Sequence, residues 1–358
     1  MNFSEKRINA STLTTSNYIS TENMLQDFQG VIEAKSVPNN TNVISFTYGD
    51  ILISNIRPYL KKVWKASIDG GCSSDVLVMK ANDKINNDYL HYVIANNRFI
   101  NFVMNGAKGV KMPRGDKEQM KTYIISLPPM VKEQRKIATF LSLLDERIAT
   151  QNKIIDKLES LIKGISRKLL DEEEGHYVSL ENILKERIEK TTINNQYEVL
   201  SSTVNGIFVQ REYFSREIAS SNNVGYKVLR LNDIVLSPQN LWMGNINYNK
   251  SFNIGIVSPS YKIFSITDSY DKDFIAALLK TKRALYNYAL ASEQGASIVR
   301  RNLNIEAFKQ IVFKLPSYKK QCQIGKTISL LEKSLENNMK LKNSYELQKT
   351  YLLRQMFI

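Results

Sequence analysis

The sequence has few of the residues that build catalytic or metal centres. Histidine occurs only at His91 and His176, and cysteine only at Cys72 and Cys322. Two distant cysteines exclude a disulfide framework and a cysteine-built zinc site, and they favour a reducing compartment. With two histidines, a histidine-based triad or metal cluster is hard to assemble. We therefore expect no catalysis by this chain, and we interpret His91 as a core or rim residue of an amphipathic helix and Cys72 as a small buried apolar residue.

Motifs that would assign the chain to other classes are absent as well. The sequence has no GxxxxGK[ST] phosphate loop, no GxGxxG after a strand, and no Asn/Asp-Pro-Pro-aromatic motif of the kind that amino-methylating enzymes use. Its first residues lack the apolar core of a signal peptide, and no apolar run approaches the roughly 18 residues that span a bilayer. We expect a soluble, cytoplasmic protein with no cofactor and no metal site of its own.

Positive charge, by contrast, is abundant. Among 358 residues, lysine and arginine number 49 against 35 acidic residues, which gives a net charge of +14. This excess favours a polyanionic partner, most simply nucleic acid, with an anionic membrane surface as the alternative. The length favours two or three domains, and 43% hydrophobic residues suffice for folded cores.

The chain contains one internal repeat. A segment that begins at Leu127-Pro128-Pro129 returns, with one proline lost, from Leu315-Pro316, and upstream Gly49–Ser54 resembles Asn232–Ser237. Two similar halves of about 185 residues are the simplest description, with chance similarity of amphipathic helices as the alternative. The positions shared by the two later segments are Gln134 with Gln321, Ile137 with Ile324, and Ser142-Leu143-Leu144 with Ser329-Leu330-Leu331.

Each half has the pattern of a mixed α+β region. Short β-branched or apolar runs bounded by Gly, Asn, Asp or Pro predict strands, and apolar spacing of three and four predicts helices. We interpret the acidic side chains around residues 181–189 as the solvated face of a charged helix. The predicted strands are Asn42–Phe46, Asp50–Ser54, Asp75–Lys80, Tyr197–Ser201, Asp233–Leu236, Ile254–Val257 and Tyr261–Ser265, and the predicted helices are Asn87–Val103 and Asp273–Leu290.

Two long helices follow these regions, and their apolar residues alternate in steps of four and three. This spacing is typical of a coiled-coil seam. We hypothesise that the polar seam residues Gln151 and Asn338 meet where the helices cross antiparallel, against the alternative of two unrelated solvated residues. The predicted seam comprises Ile137, Leu141, Leu144, Ile148, Gln151, Ile155, Leu158 and Ile162 in the first helix, and Ile324, Ile328, Leu331, Leu335 and Asn338 in the second.

The basic residues are clustered in a way that suits DNA. Groups of Lys and Arg can neutralise phosphates, while Arg, Asn and Gln read base edges. The second half is rich in amides at the position where the first half is basic, so the two halves are expected to read different sequences. The predicted DNA contacts are Arg57, Lys61, Lys62, Trp64, Lys65, Lys108, Lys111 and Arg114 in the first half, and Gln239, Asn240, Trp242, Asn245, Arg300 and Arg301 in the second.

This arrangement resembles the specificity subunit of type I restriction-modification systems. The resemblance is carried by Leu127-Pro128-Pro129, Glu133-Gln134, Ile137, Leu143-Leu144 and Gly49–Ser54, with Ser73-Ser74 and the weaker copy from Leu315. It implies two tandem α+β target recognition domains separated by two conserved helices that pack as an antiparallel coiled coil. Each domain would read one half of a bipartite, gapped site in double-stranded DNA.

The resemblance also implies the partners. The helices would bind two methyltransferase subunits, and restriction subunits would complete the enzyme. S-adenosylmethionine, ATP and Mg²⁺ would belong to those partner subunits, and this chain would be the noncatalytic part that selects the sequence. A stand-alone DNA-binding protein or a coiled-coil scaffold is the alternative, and salt-dependent binding that prefers one duplex over its scrambled version would distinguish a scaffold.

On this basis we predict target recognition domains at 1–127 and 173–314, and helices at 128–172 and 315–358. Glu5-Lys6-Arg7-Ile8 matches Lys185-Glu186-Arg187-Ile188, which leaves no counterpart of Tyr177–Leu184 in the first half. We therefore expect the first domain to be truncated or to have an alternative start. Helices of this length, about 60 Å at 1.5 Å per residue, are expected to act as a ruler between the two readers.

Overall fold

The computed structural model describes residues 2–170, 175–214, 222–294 and 301–357. It divides the chain into two compact units. The first unit comprises Met1–Asn152 with Lys340–Ile358, and the second comprises Lys153–Met339. Each unit therefore contains a mixed α+β region together with parts of both long helices.

In the first unit, a four-stranded antiparallel sheet is buried on both faces. Its strand order is β1-β8-β5-β6, and a second sheet has the order β2-β4-β7-β3. The elements are β1 (Asn2–Phe3), β2 (Arg7–Asn9), β3 (Tyr18–Ile19), β4 (Asn42–Phe46), β5 (Ile51–Ser54), β6 (Val63–Lys65), β7 (Gly70–Cys72), β8 (Val76–Lys80), α1 (Asn87–Ile94), α2 (Asn97–Asn105), α3 (Lys117–Lys121) and α4 (Val131–Leu170).

Alternation along β5 explains why this strand is apolar throughout. Ile51 and Ile53 pack with the core residues of α1 and α2, whereas Leu52 packs on the opposite face with residues of β4 and β3. Successive side chains of a strand point to opposite faces, so a strand covered on both sides must be apolar at every position.

The second unit repeats this layering. The sheet order is β10-β17-β14-β15, with smaller two-stranded sheets on one side and helices on the other. Its elements are β9 (His176–Ser179), α5 (Leu180–Ile183), β10 (Leu184–Glu186), β11 (Leu200–Thr203), β12 (Gly206–Val209), α6 (Gln210–Tyr213), β13 (Lys227–Arg230), β14 (Asp233–Leu236), β15 (Ile246–Tyr248), β16 (Ile254–Val257), β17 (Lys262–Ile266), α7 (Lys272–Leu278), α8 (Lys282–Leu290), β18 (Ser292–Gln294), β19 (Arg301–Leu303), α9 (Ile305–Lys309), β20 (Val312–Leu315) and α10 (Tyr318–Met356).

The two units share one order of elements. In the first, β5, β6 and β8 are followed by α1, α2, α3 and the long α4; in the second, β14, β15 and β17 are followed by α7, α8, α9 and the long α10. The predicted α+β fold with a repeated region and two long helices is confirmed.

Three of the secondary-structure predictions are wrong in detail. Residues 87–103 and 273–290 each form two helices, because the side chains of Asn96 and Thr281 accept hydrogen bonds from backbone N–H groups and cap a new helix. The charged helix predicted around 181–189 is one turn followed by β10. There Glu186 pairs with Lys262 in place of forming a solvated helical face.

Each long helix begins two residues after a proline, α4 at Val131 and α10 at Tyr318. Along both helices the predicted seam positions are buried or half-buried, and most intervening positions are exposed. Gln151 is buried and Asn338 is half-buried, and the hypothesis that they meet stays a prediction. Within the described residues, no helix has an apolar stretch long enough to cross a membrane.

A repeated glutamine anchors the first turn of each long helix. The Gln134 side chain accepts a hydrogen bond from the N–H of Asn86 at 2.9 Å and donates to the carbonyls of Lys84 and Pro128, both at 3.1 Å. Its counterpart Gln321 accepts from Asp271 N–H at 3.2 Å and donates to the Pro316 carbonyl at 2.9 Å. Each glutamine thereby joins the start of its long helix to the N-cap residue of an earlier helix, Asn86 of α1 or Asp271 of α7.

In the first unit, the end of α10 runs antiparallel to the start of α4. The Tyr92 hydroxyl donates to Asp145 of α4 at 2.8 Å, and Lys349 of α10 pairs with the same carboxylate. One turn earlier in α1, the Tyr89 ring lies 5.2 Å from the Phe357 ring, and its hydroxyl donates to the carbonyl of Ser126, ahead of α4. From Tyr89 to Tyr92, the contacts move from Ser126 forward to Asp145 of α4, whereas the contacts in α10 move from Phe357 back to Lys349. The two helices therefore run in opposite directions here.

Candidate nucleic-acid interface

The first candidate surface is built on a tight turn after β5. Residues Pro58–Leu60 form one 3-10 turn, and the basic residues on either side of it, Arg57 and Lys61, have φ angles of 50° and 54°. This left-handed backbone is uncommon for residues with a side chain, and such strain is concentrated at functional sites. The turn places these two basic residues at its ends, where both side chains are half-buried.

A hairpin adds the second predicted basic group to this turn. Lys108 and Arg114 exchange two backbone hydrogen bonds of 2.9 Å, and Arg57 N–H donates to the Pro113 carbonyl at 2.8 Å. The structure therefore brings together two clusters that are about 50 positions apart in the sequence. We refer to residues 55–62 with 108–114 as the first basic surface.

Several cations of this region are paired with carboxylates. Because the aspartates Asp27, Asp75 and Asp88 come from distant positions, the local sequence does not reveal them. Lys111 is exposed and has no ion pair within the described residues. Exposed pairs contribute little stability, so these cations can exchange a carboxylate for a phosphate at small cost. The pairs are Lys61 with Asp27 (3.5 Å), Lys65 with Asp88 (2.5 Å), Lys108 with Asp116 (2.9 Å) and Arg114 with Asp75 (2.9 Å).

Two further predicted contacts face the protein. Trp64 is half-buried, with its ring edge-on to Phe46 at 5.9 Å, and Lys62 donates through its Nζ to the Thr21 carbonyl at 2.5 Å. Their role in DNA contact stays a prediction, and packing within the first unit occupies part of each side chain.

The second candidate surface occupies the same place in the second unit. The 3-10 turn Leu241–Met243 follows β14, as Pro58–Leu60 follows β5. Arg301 N–H donates to the Gln239 carbonyl at 3.2 Å, and the Arg301 guanidinium lies 4.5 Å from the centre of the Trp242 ring. We refer to residues 238–245 with Arg301 as the amide-rich surface; Arg300 lies outside the described residues.

The predicted DNA contacts on this surface differ in exposure. Gln239 is exposed and Asn240 is half-buried. Asn245, by contrast, is buried: it accepts from the Ser202 hydroxyl at 2.8 Å and donates to the Ser202 carbonyl at 3.0 Å. Its amide supports the turn from inside, and a DNA contact by Asn245 stays a prediction.

The amine of a lysine also supports the amide-rich surface. Lys280 donates to the Asn247 side chain at 2.8 Å and to the Gly244 carbonyl at 3.2 Å. Desolvation of the amine lowers the pKa of Lys280 to about 8. The sequence does not show these hydrogen bonds, because Asn247 and Gly244 lie more than 30 positions before Lys280.

Of the two residues considered for chemistry, Cys72 is buried and His91 is half-buried. Burial raises the pKa of the Cys72 thiol to about 12, so the thiol stays protonated at neutral pH. Burial, followed by the charge of Lys65, lowers the pKa of His91 to about 4. Within the described ranges, no group of three His, Cys, Asp or Glu side chains is arranged to hold a metal ion.

Comparison with known families bears on these surfaces. Residues 4–160, which include the first basic surface, match the family model of the type I restriction modification DNA specificity domain. The resemblance to type I specificity subunits that the sequence indicated is thereby confirmed.

Two curated relatives carry the same description over shorter alignments. The chain is 27% identical over 125 residues to the type I restriction enzyme EcoDI specificity subunit of Escherichia coli, which covers 35% of this chain and 28% of that protein. It is 36% identical over 101 residues to the MjaVIII specificity subunit of Methanocaldococcus jannaschii, which covers 28% of this chain and 23% of that protein. The aligned part thus spans about a quarter of each curated relative's length.

Solved structures extend the similarity of fold to the whole chain. The type I restriction-modification S subunit from M. genitalium matches with a TM-score of 0.64 at 15% identity, over 100% of this chain and 96% of that one. A chain from a structure of complex assembly and conformational transition of the type I R-M system matches with a TM-score of 0.52 at 14% identity, over 99% and 94%. At such identities the likeness concerns the fold alone.

Proposed function

We propose that this chain is the noncatalytic DNA-specificity subunit of a type I restriction-modification complex, and that each unit reads one half of a bipartite, gapped site. The observation that carries the proposal is the repeat: one series of strands and helices occurs twice, and its first copy matches a DNA specificity domain. Two readers in one chain suit a target with two separate parts.

The side chains at equivalent turns support different readings by the two units. The first turn carries Arg57 and Lys61, where the second carries Asn240 and Gly244. Arginine and lysine suit phosphates and guanine, whereas asparagine and glutamine suit adenine. The two halves of the site therefore differ in sequence, and the whole site is asymmetric.

Exposed apolar residues on the long helices support recruitment of protein partners. Leu143 and Leu330, which are equivalent in the repeat, lie off the seam and are 52% and 59% exposed. Phe140 and Leu161 of α4 and Leu347 of α10 are exposed too. Exposed apolar groups of this size on a helix suit a protein interface. We assign them to the methyltransferase subunits, with restriction subunits joining the assembled complex.

The cofactors of the reaction are assigned to those partners. Methyl transfer needs S-adenosylmethionine, and DNA translocation needs ATP and Mg²⁺. We place all three in the methyltransferase and restriction subunits, and this chain contributes selection of the DNA sequence.

Mapping of methylated adenines in cells with and without this gene tests the proposal. We expect one gapped, two-part motif that disappears on deletion and returns with the wild-type gene. Leu143→Glu with Leu330→Glu is expected to abolish the methylation without unfolding the chain, while the exposed control Thr150→Glu retains it. A motif that persists without the gene, or one continuous motif, would contradict the proposal.

A further inference from the structure

A hairpin ahead of β4 lies directly against the turn of the first basic surface. Met24 and Val31 form an antiparallel bridge, and Leu25 N–H donates to the Gly30 carbonyl at 2.8 Å. We refer to residues 24–31 as the side hairpin. It is about 30 positions earlier in the chain than the turn, and it is not part of the first basic surface as defined above.

Main-chain hydrogen bonds join the tip of the side hairpin to the turn. Asp27 N–H donates to the Leu60 carbonyl at 3.1 Å, and Phe28 N–H donates to the Lys61 carbonyl at 2.9 Å. The Asp27 carboxylate also lies 3.5 Å from the Lys61 amine. Since the tip borders the turn at hydrogen-bond distance, a DNA backbone bound at the turn passes beside the tip.

Strained backbone is concentrated where the side hairpin meets the turn. Asp27 and Phe28 have φ angles of 51° and 62°, and Arg57 and Lys61 have φ angles of 50° and 54°. Within the described ranges, the only other non-glycine residues with positive φ are three asparagines. Asparagine adopts this conformation readily, whereas bulky side chains do so rarely. Strain of this kind is typical of a functional site.

The tip of the side hairpin presents two amide side chains. Gln26 and Gln29 are exposed, and neither amide has a hydrogen-bond partner in the part of the chain that the structure describes. The first basic surface itself contains one amide, Asn55, which is half-buried. The cations of that surface suit phosphates, whereas the two glutamines suit the major-groove edge of adenine.

The second unit has a hairpin at the equivalent place with different residues at its tip. β11 and β12 form this hairpin ahead of β13, and the Ser202 hydroxyl donates to Asn245, at the end of the amide-rich turn, at 2.8 Å. Its exposed tip residues are Val204 and Asn205. The place of the hairpin is thus the same in both units while its exposed side chains change. This pattern is typical of a variable reading loop on a constant scaffold.

We propose that the side hairpin is a further DNA-reading segment of the first unit, and that Gln26 and Gln29 read adenine in the half-site that this unit contacts. The cations of the first basic surface hold the phosphates. Each glutamine amide donates to adenine N7 and accepts from the N6 amino group. The assignment rests on the proposed function, because it requires that the first unit contacts DNA.

Adenine methylation mapping with Gln26→Ala plus Gln29→Ala tests the assignment. We expect new methylated sites that depart from the wild-type motif at A·T positions of one half, because loss of a base contact relaxes that half. The other half and the gap stay intact. The relaxed half is the one that Arg57→Ala with Lys111→Ala alters. An unfolded chain cannot produce new sites, so the expected result also shows that the variant is folded.

An exposed amide at the other end of β5 provides the matched control. Asn87 lies beside Gly49, ahead of β5, whereas the turn follows this strand, and Asn87→Ala should keep the wild-type motif. An unchanged motif in the glutamine variant, or loss of all methylation, would overturn the role of the side hairpin. The proposed function would stand in either case if the wild-type motif still depended on the gene. Methylation that persists without the gene would refute both.

A modified base distinguishes direct contact from a change in the shape of the turn. The probe is a duplex with 7-deazaadenine, which lacks the N7 acceptor, at the position that the glutamine variant relaxes. The assembled wild-type complex and the Asn87→Ala complex are expected to bind this duplex at least about fivefold more weakly than the ordinary duplex. The glutamine variant should bind both duplexes equally. A loss as large in the glutamine variant as in wild type would show that Gln26 and Gln29 do not touch the base.

Discussion

At the scale of single residues, His91 is expected to make folding of the first unit pH-dependent. Burial, and then the charge of Lys65, lowers its pKa from 6.5 to about 4, and its Nδ1 has no hydrogen-bond partner within the described residues. The folded state therefore favours the neutral ring. The stability associated with that ring is complete above pH 6.5 and is lost as the pH falls toward 4.

Urea unfolding at pH 7 and pH 5 measures this contribution. We expect the wild-type protein to lose about 2 kcal/mol more between these pH values than His91→Gln, at about 1.4 kcal/mol per pH unit below 6.5. His176 is exposed, so His176→Gln should behave as wild type. Equal pH dependence of wild type and His91→Gln would contradict the assignment.

Lys61 and Gly244 occupy equivalent positions in the two turns, and backbone strain predicts that substitutions at these positions change protein stability in opposite directions. Lys61 has a φ of 54°, where the second unit has Gly244 at 95°. Lys61→Gly should therefore stabilise the protein by about 1 kcal/mol. Gly244→Ala should destabilise it by a similar amount, since a Cβ would also lie 3.3 Å from Leu285.

The same Lys61→Gly change should weaken DNA binding by the assembled complex. Loss of one phosphate contact is expected to reduce the dependence of log Kd on log salt by about 1. If the variant lost stability, the strain at Lys61 would be contradicted. If its DNA binding kept the same salt dependence, Lys61 would have no role in DNA contact.

The residue types in the sequence predict which side chains are buried better than they predict which side chains form ion pairs or hydrogen bonds. The sequence predicts Cys72 as a buried residue and His91 as a core or rim residue, and the structure buries Cys72 and half-buries His91. The aspartate partners of the first basic surface were missed, because they come from positions far along the chain. The burial of Asn245 and its hydrogen bonds to Ser202 could not be predicted either, because Ser202 lies 43 positions earlier in the chain.

At the scale of elements, the repeated glutamine is expected to join each α+β region to its long helix. Gln134→Leu removes three hydrogen bonds and leaves the N–H of Asn86 without its partner. A loss of about 2–3 kcal/mol in unfolding free energy is expected, because buried polar groups become unsatisfied. The exposed control Gln323→Leu should change stability by less than about 0.5 kcal/mol. Equal effects of the two changes would contradict the anchoring role.

The long elements could be predicted because their signals are strong and local. Apolar residues that repeat over many turns, together with prolines at the helix starts, predict the bounds of α4 and α10 to within a few residues. The breaks at Asn96 and Thr281 were missed, because a polar residue inside an apolar pattern can be either a solvated side chain or a cap. The pairing of β9 with β20 joins residues over 130 positions apart, and nothing in the local sequence indicates it.

At the scale of the whole molecule, helix length is proposed to set the gap between the two half-sites. The long helices have 40 and 39 residues. Removal of one heptad from each shortens them by about 10 Å, about three base pairs of DNA. Methylation mapping should then find the same half-sites with a shorter gap. An unchanged gap would contradict the role of the helices as a ruler.

The central claim is that each unit reads its own half of the site, and adenine methylation mapping with single-surface variants tests it most directly. We compare cells that carry the wild-type gene, Lys111→Ala with Arg57→Ala on the first basic surface, or Gln239→Ala with Asn240→Ala on the amide-rich surface. Each variant is predicted to relax or change one half of the motif, a different half for each surface, and to leave the other half and the gap intact. If either variant altered both halves together, or if both altered the same half, the account of two independent readers would be contradicted.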